Sequence, residues 1–266
     1  MKGWVRVTRK DPCRVCKKDD WCTWHEKIGA CCMRVQSSKP MRNGGWLHPH
    51  DGEVKYRPLP PKAPPQPVID AEEIMEGWRA TTAERHLQEF ARDLGVSYDS
   101  LLLLGAAWSH RHQAWAFPMS DGFGKCIGIR LRDHTGKKWA VPGSRNGIFM
   151  PRTRADREVL VTEGPTDTAA ALTMGFYALG RPSCSGALDM IKQACRTLSI
   201  QRLIIVSDND GPGYAGAQRL ANEVPIPACV ISTPAKDIRQ FVQLGGNRLT
   251  LNCILQNTVW RNTPKA

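Results

Sequence analysis

Residues 202–213 read RLIIVSDNDGPG, and this stretch decides the fold. Leu203-Ile204-Ile205-Val206 is a continuous apolar run, the pattern of a strand buried on both faces of a parallel sheet. The run ends abruptly in carboxylates. Asp208 and Asp210 are two apart, and on extended chain both side chains project the same way. Two like charges aimed into one small space repel unless a cation sits between them, and an oxygen-rich site of this kind suits magnesium. Gly211 and Gly213 break the strand, and Tyr214 to Val224 reads as the following helix. Ligands of open α/β sheets bind beyond the carboxyl ends of the strands, and the acidic pair lies at that edge. The plain alternative is a surface turn, because Asp, Asn and Gly are ordinary turn residues.

Moving outward, Glu158-Val159-Leu160-Val161-Thr162-Glu163-Gly164 is another strand that ends in a carboxylate and a glycine, with a helix predicted from Thr166 to Met174. A third strand, Ala228 to Thr233, runs into Pro234-Ala235-Lys236-Asp237. Acids at three strand ends meet along one sheet edge, which unrelated turns have no reason to do.

Glu163-Gly164, then Asp208-x-Asp210 with its glycines, then Lys236-Asp237, resembles the Toprim domain of bacterial and phage primases, type IA and II topoisomerases and some nucleases. The ordered segments VLVTEGPTDTAAA, LGRPSCSGA, LIIVSDNDGPGYAGA and TPAKDI are most similar to the primase halves of phage primase-helicases and to small phage or prophage primases. The resemblance covers about residues 158–246. It implies an α/β fold with a Rossmann-like, mostly parallel sheet flanked by helices. It also implies that Glu163, Asp208 and Asp210 are the catalytic set, around magnesium or manganese, with Asp237 completing the cluster and Lys236 offsetting phosphate charge. The implied activity is DNA primase: template-dependent synthesis of short RNA primers on single-stranded DNA from nucleoside triphosphates, beside a replicative helicase supplied in trans. In such chemistry a 3′ hydroxyl attacks an α-phosphate, and carboxylate-held magnesium activates the attacking oxygen and neutralises the leaving pyrophosphate. Glu163 shares a metal or acts as general acid/base.

The chain of 266 residues carries a formal charge of +12, unevenly spread. Basic residues outnumber acidic ones 14 to 6 over residues 1–62, equal them at 10 each over 63–150, and lead 13 to 9 in the remainder. This balance points to a polyanionic partner. The longest apolar run, Leu101 to Trp108, is too short to cross a bilayer, and no signal-type apolar core follows the basic N-terminus. A cytoplasmic protein with no membrane association is expected.

Ten cysteines without an export signal favour metal binding over disulfides, and five of them fall in the first 32 residues. Cys13-x2-Cys16 has zinc-knuckle spacing; Cys22 and Cys32 follow, with Cys31, His25, His48 and His50 as competing ligands. Four thiolates on tetrahedral zinc give so short and polar a segment its fold. The order CxxC, TrpCys, CysMetArg, GlyGlyTrpLeuHis resembles the zinc modules of small phage primases, which implies Cys13, Cys16, Cys22 and Cys32 as ligands in a zinc-ribbon-like module. Tryptophans interleaved with Arg and Lys there suit unstacked bases and phosphates, or equally form the module's own core.

Residues 54–68 hold six prolines, a stiff extended linker. Helical spacing runs from Ala71 to Gly95, Leu101 to Ala107 is a helix or a buried strand, and glycine-punctuated segments from Trp115 to Met150 predict a small antiparallel sheet. Nine basic residues lie between Lys125 and Arg157 against Asp133 and Asp156. Ile127, Ile129 and Leu131 alternate with Gly128, Arg130 and Arg132, so one strand buries its apolar side and presents two guanidinium groups. Arg130, Arg132, Lys137 and Lys138 are the candidate contacts to nucleotide and template. Short helices are expected over Ile238 to Leu244 and Leu249 to Trp260. The expected organisation is a zinc module over 1–53, the linker over 54–68, a basic subdomain over 69–152, the Toprim domain over 153–248 and a C-terminal helix and tail over 249–266.

The same acids suit a metal-dependent nuclease, whereas a module that only recruits a helicase to single strands does not need Glu163. A topoisomerase lacks room for its gate here, and no GxxxxGK[ST] motif is present for a P-loop ATPase.

Overall fold

The computed structural model describes residues 3–41, 44–50, 68–184 and 186–262. The chain forms two compact units, residues 1–66 and 67–266. Apart from Val68, the expected linker lies outside the described residues.

In the first unit, β1 (Trp4–Arg6), β2 (Thr23–His25), β3 (Gly29–Cys32) and β4 (Trp46–Pro49) form an antiparallel meander in chain order. Its buried cluster is Val7, Cys13, Cys22, Cys32 and Val35, so cysteine replaces the aliphatic side chains that would stabilise a larger domain. Apolar burial on this scale does not hold a fold by itself.

The second unit begins with α1 (Ala71–Thr81), whose N-cap Asp70 accepts from the Glu73 amide at 3.1 Å. The single helix expected over 71–95 is broken in two, and α2 is Glu84–Leu94. The cause is Thr82, whose hydroxyl donates to the Trp78 carbonyl at 2.7 Å and accepts from the Trp108 amide at 2.8 Å. Such local side-chain bonding competes with helix continuation. Gly95, at φ 68°, closes α2 in the left-handed conformation. The ambiguous run near Leu101 divides between α3 (Tyr98–Leu103) and β5 (Ala107–Ser109), turning at Gly105 with φ 66°.

β5 joins β6 (Ala114–Ser120), β7 (Cys126–Arg132) and β8 (Lys138–Ala140) in the expected antiparallel sheet. Ile129 and Leu131 pack with Met75 of α1, while Arg130 and Arg132 leave on the other face, opposite Phe117 and Trp115.

The second sheet is parallel, in the order β10-β9-β11-β12. Its elements are β9 (Glu158–Glu163), α4 (Pro165–Thr173), β10 (Ala178–Arg181), α5 (Leu188–Thr197), β11 (Arg202–Ser207), α6 (Gly211–Glu223), β12 (Ala228–Ser232) and α7 (Ile238–Gln243), followed by α8 (Arg248–Gln256). Ile204 and Val206 pack in the cluster that holds α4 and α7, whereas Leu203 and Ile205 pack in the one that holds α5 and α6. Both faces of β11 are therefore covered, which is why its sequence does not alternate with polar residues. Ile148 bridges to Ser120 and Phe149 to Gly180, so one short segment stitches the antiparallel sheet to the edge of the parallel one. Among the described residues no helix is long and apolar enough to cross a membrane.

Candidate active site and metal-ligand clusters

The chain moves from β9 to β10 on one side and returns across β9 to β11, so the strand order reverses at the carboxyl end of β9. A crevice opens at such a reversal. β11 lies beside β9 with Ile205 opposite Val161, a register that carries Glu163 and Asp208 to the same end of neighbouring strands. A cavity of about 230 Å³ opens there, and its lining includes the acids Glu163, Asp167, Asp208 and Asp237 and the bases Arg130, Lys138 and Lys236.

Each acid is held by its element. Glu163 ends β9, and Gly164, at φ 81°, starts α4. Asp210 is the N-cap of α6, accepting from the Gly213 amide at 2.6 Å, and Asp237 is the N-cap of α7, accepting from the Gln240 amide at 2.7 Å. The chain bends at Asn209; Asp208 lines the cavity, while Asp210, exposed, commits one oxygen to the first turn of α6. Asn209 fixes that bend by donating to the carbonyls of Thr233 and Ala235 at 2.8 and 2.5 Å.

The electrostatics of the edge are those of crowded carboxylates. Burial, and then Asp208, push the Glu163 carboxyl above its usual range, with Arg181 and Lys138 opposing. Burial, and then Asp237 and Asp210, do the same to Asp208, against Lys138 and Lys236. Asp167, buried on the first turn of α4, is pushed up to about 7 by burial and then by Asp237 and Asp208. Its Oδ1 has no hydrogen-bond partner. An orphaned carboxylate oxygen among further carboxylates is a donor set that fits a hard divalent cation such as magnesium.

On the basic side, Arg132 of β7 and Lys138 of β8 are paired across strands. Burial pushes both the Arg130 and Arg132 guanidinium groups down from their usual range; for Arg132, Arg239 of α7 adds to the effect. Arg130 lines the cavity, and Arg132 is not among its lining residues. Lys137 is not brought in: it lies in the turn before β8, where its amide donates to Asp133 Oδ1 at 3.0 Å, and its Nζ lies 5.8 Å from the centre of the Trp139 ring.

In the first unit, Cys13, Cys16, Cys22 and Cys32 bring their sulfur atoms within 4.8 Å of one another. The Cys16–Cys22 and Cys22–Cys32 separations are 3.7 and 3.9 Å. Four sulfurs at about 2.3 Å from a tetrahedral zinc lie about 3.8 Å apart, so the set fits that metal. Backbone amides already point at the sulfurs: Met33 at Cys22 (3.4 Å), and Arg34 and Val35 at Cys32 (3.4 and 3.2 Å). Such donors stabilise thiolates and orient them. The rival ligands are otherwise engaged: His48 Nε2 is 3.0 Å from the Val35 carbonyl, and His50 Nε2 is 3.1 Å from that of His25.

No protein-family model matches the chain. Solved structures superimpose on it over most of its length. The Escherichia coli primase catalytic core matches with TM-score 0.57 at 14% identity, covering 71% of this chain and 79% of that one. The fold is that of a primase catalytic core. An Aquifex aeolicus primase fragment comprising zinc-binding and RNA polymerase domains matches with TM-score 0.58 at 12% identity, over 72% of this chain and 60% of its own. The primase fragment of the bacteriophage T7 primase-helicase matches with TM-score 0.52 at 15% identity, over 83% of this chain and 99% of its own. In sequence, the Gene 57 protein of Mycobacterium phage D29 is 26% identical over 129 residues, which is 47% of this chain and 82% of that protein.

On the primase fold, two site residues are present that the strand-end reading passed over. Asp167 follows Glu163 by four residues, one helical turn into α4; the signal was the acid in EGPTD, hidden because a first-turn Asp is ordinary helix chemistry. Arg181 ends β10 beside Glu163 and is 2% exposed. Its strand was not marked by any acid.

Proposed function

We propose that this chain is a DNA primase that joins nucleotides on a single-stranded DNA template. The observation that carries the reading is the cavity at the β9 switch point, whose lining includes Glu163, Asp167, Asp208 and Asp237 together with Arg130, Lys138 and Lys236 on a primase-core fold. A solved primase catalytic domain bound to single-stranded DNA has the same fold as 72% of this chain, with TM-score 0.57, which supports the template assignment.

In this reading Glu163, Asp208 and Asp210, with Asp167 and Asp237, hold magnesium or manganese, and the metal supplies charge neutralisation on the reacting phosphates and a more acidic attacking hydroxyl. Arg130, Lys138 and Lys236 draw the triphosphate of the incoming nucleotide into the cavity and hold its α-phosphate beside the carboxylates. Arg132 and Lys137 serve the strand outside the cavity. Glu163 takes the proton from the attacking hydroxyl or shares the metal. The work divides as the sequence suggests: residues 1–53, folded on zinc, contact template; 69–152 bring basic groups; 153–248 carry the acids; a replicative helicase acts in trans.

The test incubates the chain with single-stranded DNA of varied sequence, labelled ribonucleoside or deoxyribonucleoside triphosphates and magnesium, and reads products for length and direction. Short oligonucleotides that depend on template and disappear in Glu163→Gln support the reading. Magnesium-dependent cleavage stopped by Glu163→Gln replaces it with a nuclease, and DNA binding without either reaction replaces it with a recruitment module.

A further inference from the structure

Among the described residues Arg181 is the largest fully buried side chain, yet it lies at the end of a four-residue strand rather than in a core of charged pairs. A guanidinium is almost never buried unless its surroundings are built to receive it. Here three separate pieces of chain do so. Nη1 donates to the Cys184 carbonyl at 2.6 Å and to the Gly216 carbonyl of α6 at 3.3 Å, and Nη2 lies 3.5 Å from Glu163 Oε1. The cover is close-fitting at Gly216, where a Cβ would stand 2.1 Å from the Cys184 oxygen, so only glycine lets the loop after β10 press onto α6. The same loop supplies Pro182 and Ser183 to the cavity wall, and α6 begins at Asp210. Glu163 and Arg181 are register partners across β9 and β10, which aims the guanidinium along the sheet edge at the carboxylate.

We propose that Arg181 is a positioning residue for the carboxylate edge: it fixes the rotamer of Glu163, ties the cavity-lining loop to α6, and supplies an internal positive charge that keeps the acids converged. This rests on the proposed function for its catalytic consequence, but its metal consequence is independent of that reaction. Buried ion pairs add little stability compared with apolar groups of similar volume. A residue that only fills space is therefore replaceable by methionine at no functional loss, whereas a positioning residue is not.

The experiment compares wild type, Arg181→Met, Arg181→Lys and Gly216→Ala as full chains with zinc retained, measuring manganese affinity by electron paramagnetic resonance, thermal midpoint, and kcat and KM for primer synthesis. The expected result is a folded Arg181→Met with manganese affinity lowered about tenfold and with kcat reduced far more than nucleotide KM. Arg181→Lys, which keeps charge but loses the planar fork, recovers only part of the affinity. If Arg181→Met fails to fold, Gly216→Ala, which lifts the loop and leaves every charge in place, is expected to weaken manganese binding in the same direction. Wild-type manganese affinity and kcat in folded Arg181→Met, or in folded Arg181→Lys and Gly216→Ala, overturns the proposal, as does a wild type that binds no manganese. A wild type that makes no primers while Arg181 still controls manganese affinity overturns the primase reading and leaves this inference standing.

Discussion

The four thiols of the first unit and the carboxylates of the second are both arranged to attract a cation, yet the chain builds them in opposite ways. Among the described residues only the cysteines bring their ligand atoms within 4.8 Å of one another. They are also most of the buried cluster of their unit, so ligand set and core are the same residues. The carboxylates stand further apart, at the rim of a sheet whose two faces are packed by separate apolar clusters. The core of that unit is apolar, and its acids lie outside those clusters. A cation on the thiols would therefore be part of the core of its unit, whereas one at the carboxylates would lie outside the apolar core. In the proposed reaction, carboxylates that stand further apart would leave room for a substrate's phosphates to complete the coordination, which a closed thiolate site would not.

The largest effect that distinguishes the two is loss of a zinc ligand. Cys13→Ser is expected to release the metal and unfold the first unit, since zinc binding to such modules is worth about 10–16 kcal/mol and is their folding energy. Metal analysis and hydrogen exchange check this, with protection lost over the described residues up to 50 and kept in the second unit. An equal loss in both units would break the contrast.

Next is Glu163→Gln. Removing one charge from the rim is expected to lower primer synthesis by about a hundredfold or more, the usual worth of a proton-transfer group. Folding and single-strand binding should stay near wild type, as read by circular dichroism and fluorescence anisotropy. A variant that unfolds would place Glu163 among structural residues.

A third effect concerns Asp167, whose carboxyl burial and its acidic neighbours push up to about 7. Between its unfolded value and that point the native state holds a proton the unfolded chain has released, so stability falls as pH rises through this window. In magnesium-free buffer that keeps zinc, the urea midpoint of the second unit should fall from pH 5 to pH 8. Asp167→Asn should flatten that dependence by up to about 3 kcal/mol, since about two pH units of the window lie above pH 5 at 1.36 kcal/mol per unit. Magnesium should restore the wild type above pH 7 and leave the variant unchanged. No difference between the two proteins would mean that Asp167 is relieved by some other partner.

The smallest effect separates two adjacent lysines. Lys138→Met should weaken nucleotide binding and reduce the salt slope of single-strand binding by about 0.7, one phosphate contact. Lys137→Met should leave nucleotide binding alone, because that side chain lies over Trp139, outside the cavity lining. Equal effects would show that the lysines act as a diffuse basic surface rather than through the cavity.

Most of the parallel sheet was legible because a strand covered on both faces must be continuously apolar, and an acid that ends it stands out at once, as at Val161-Thr162-Glu163 and Val206-Ser207-Asp208. Cys13 and Cys16 stood out by their spacing, but five cysteines and three histidines left the other two ligands to the resemblance, and the fold brings Cys22 and Cys32 to them. Local patterns could not decide where side chains meet. The helix expected over 71–95 stops at Thr81 because the Thr82 hydroxyl has a partner 26 residues away in Trp108. Asp208 lines the cavity and Asp210 caps α6, a division that depends on the bend at Asn209 held by the carbonyls of Thr233 and Ala235. Asp167 and Arg181 do not stand out within EGPTD and LGRP, for a first-turn aspartate and a lone arginine are ordinary in sequence. Sequence by itself determined the elements and the acids at their ends. The tertiary structure decided which charges share a cavity, because strand order and register, not spacing along the chain, set the distance between groups on different strands.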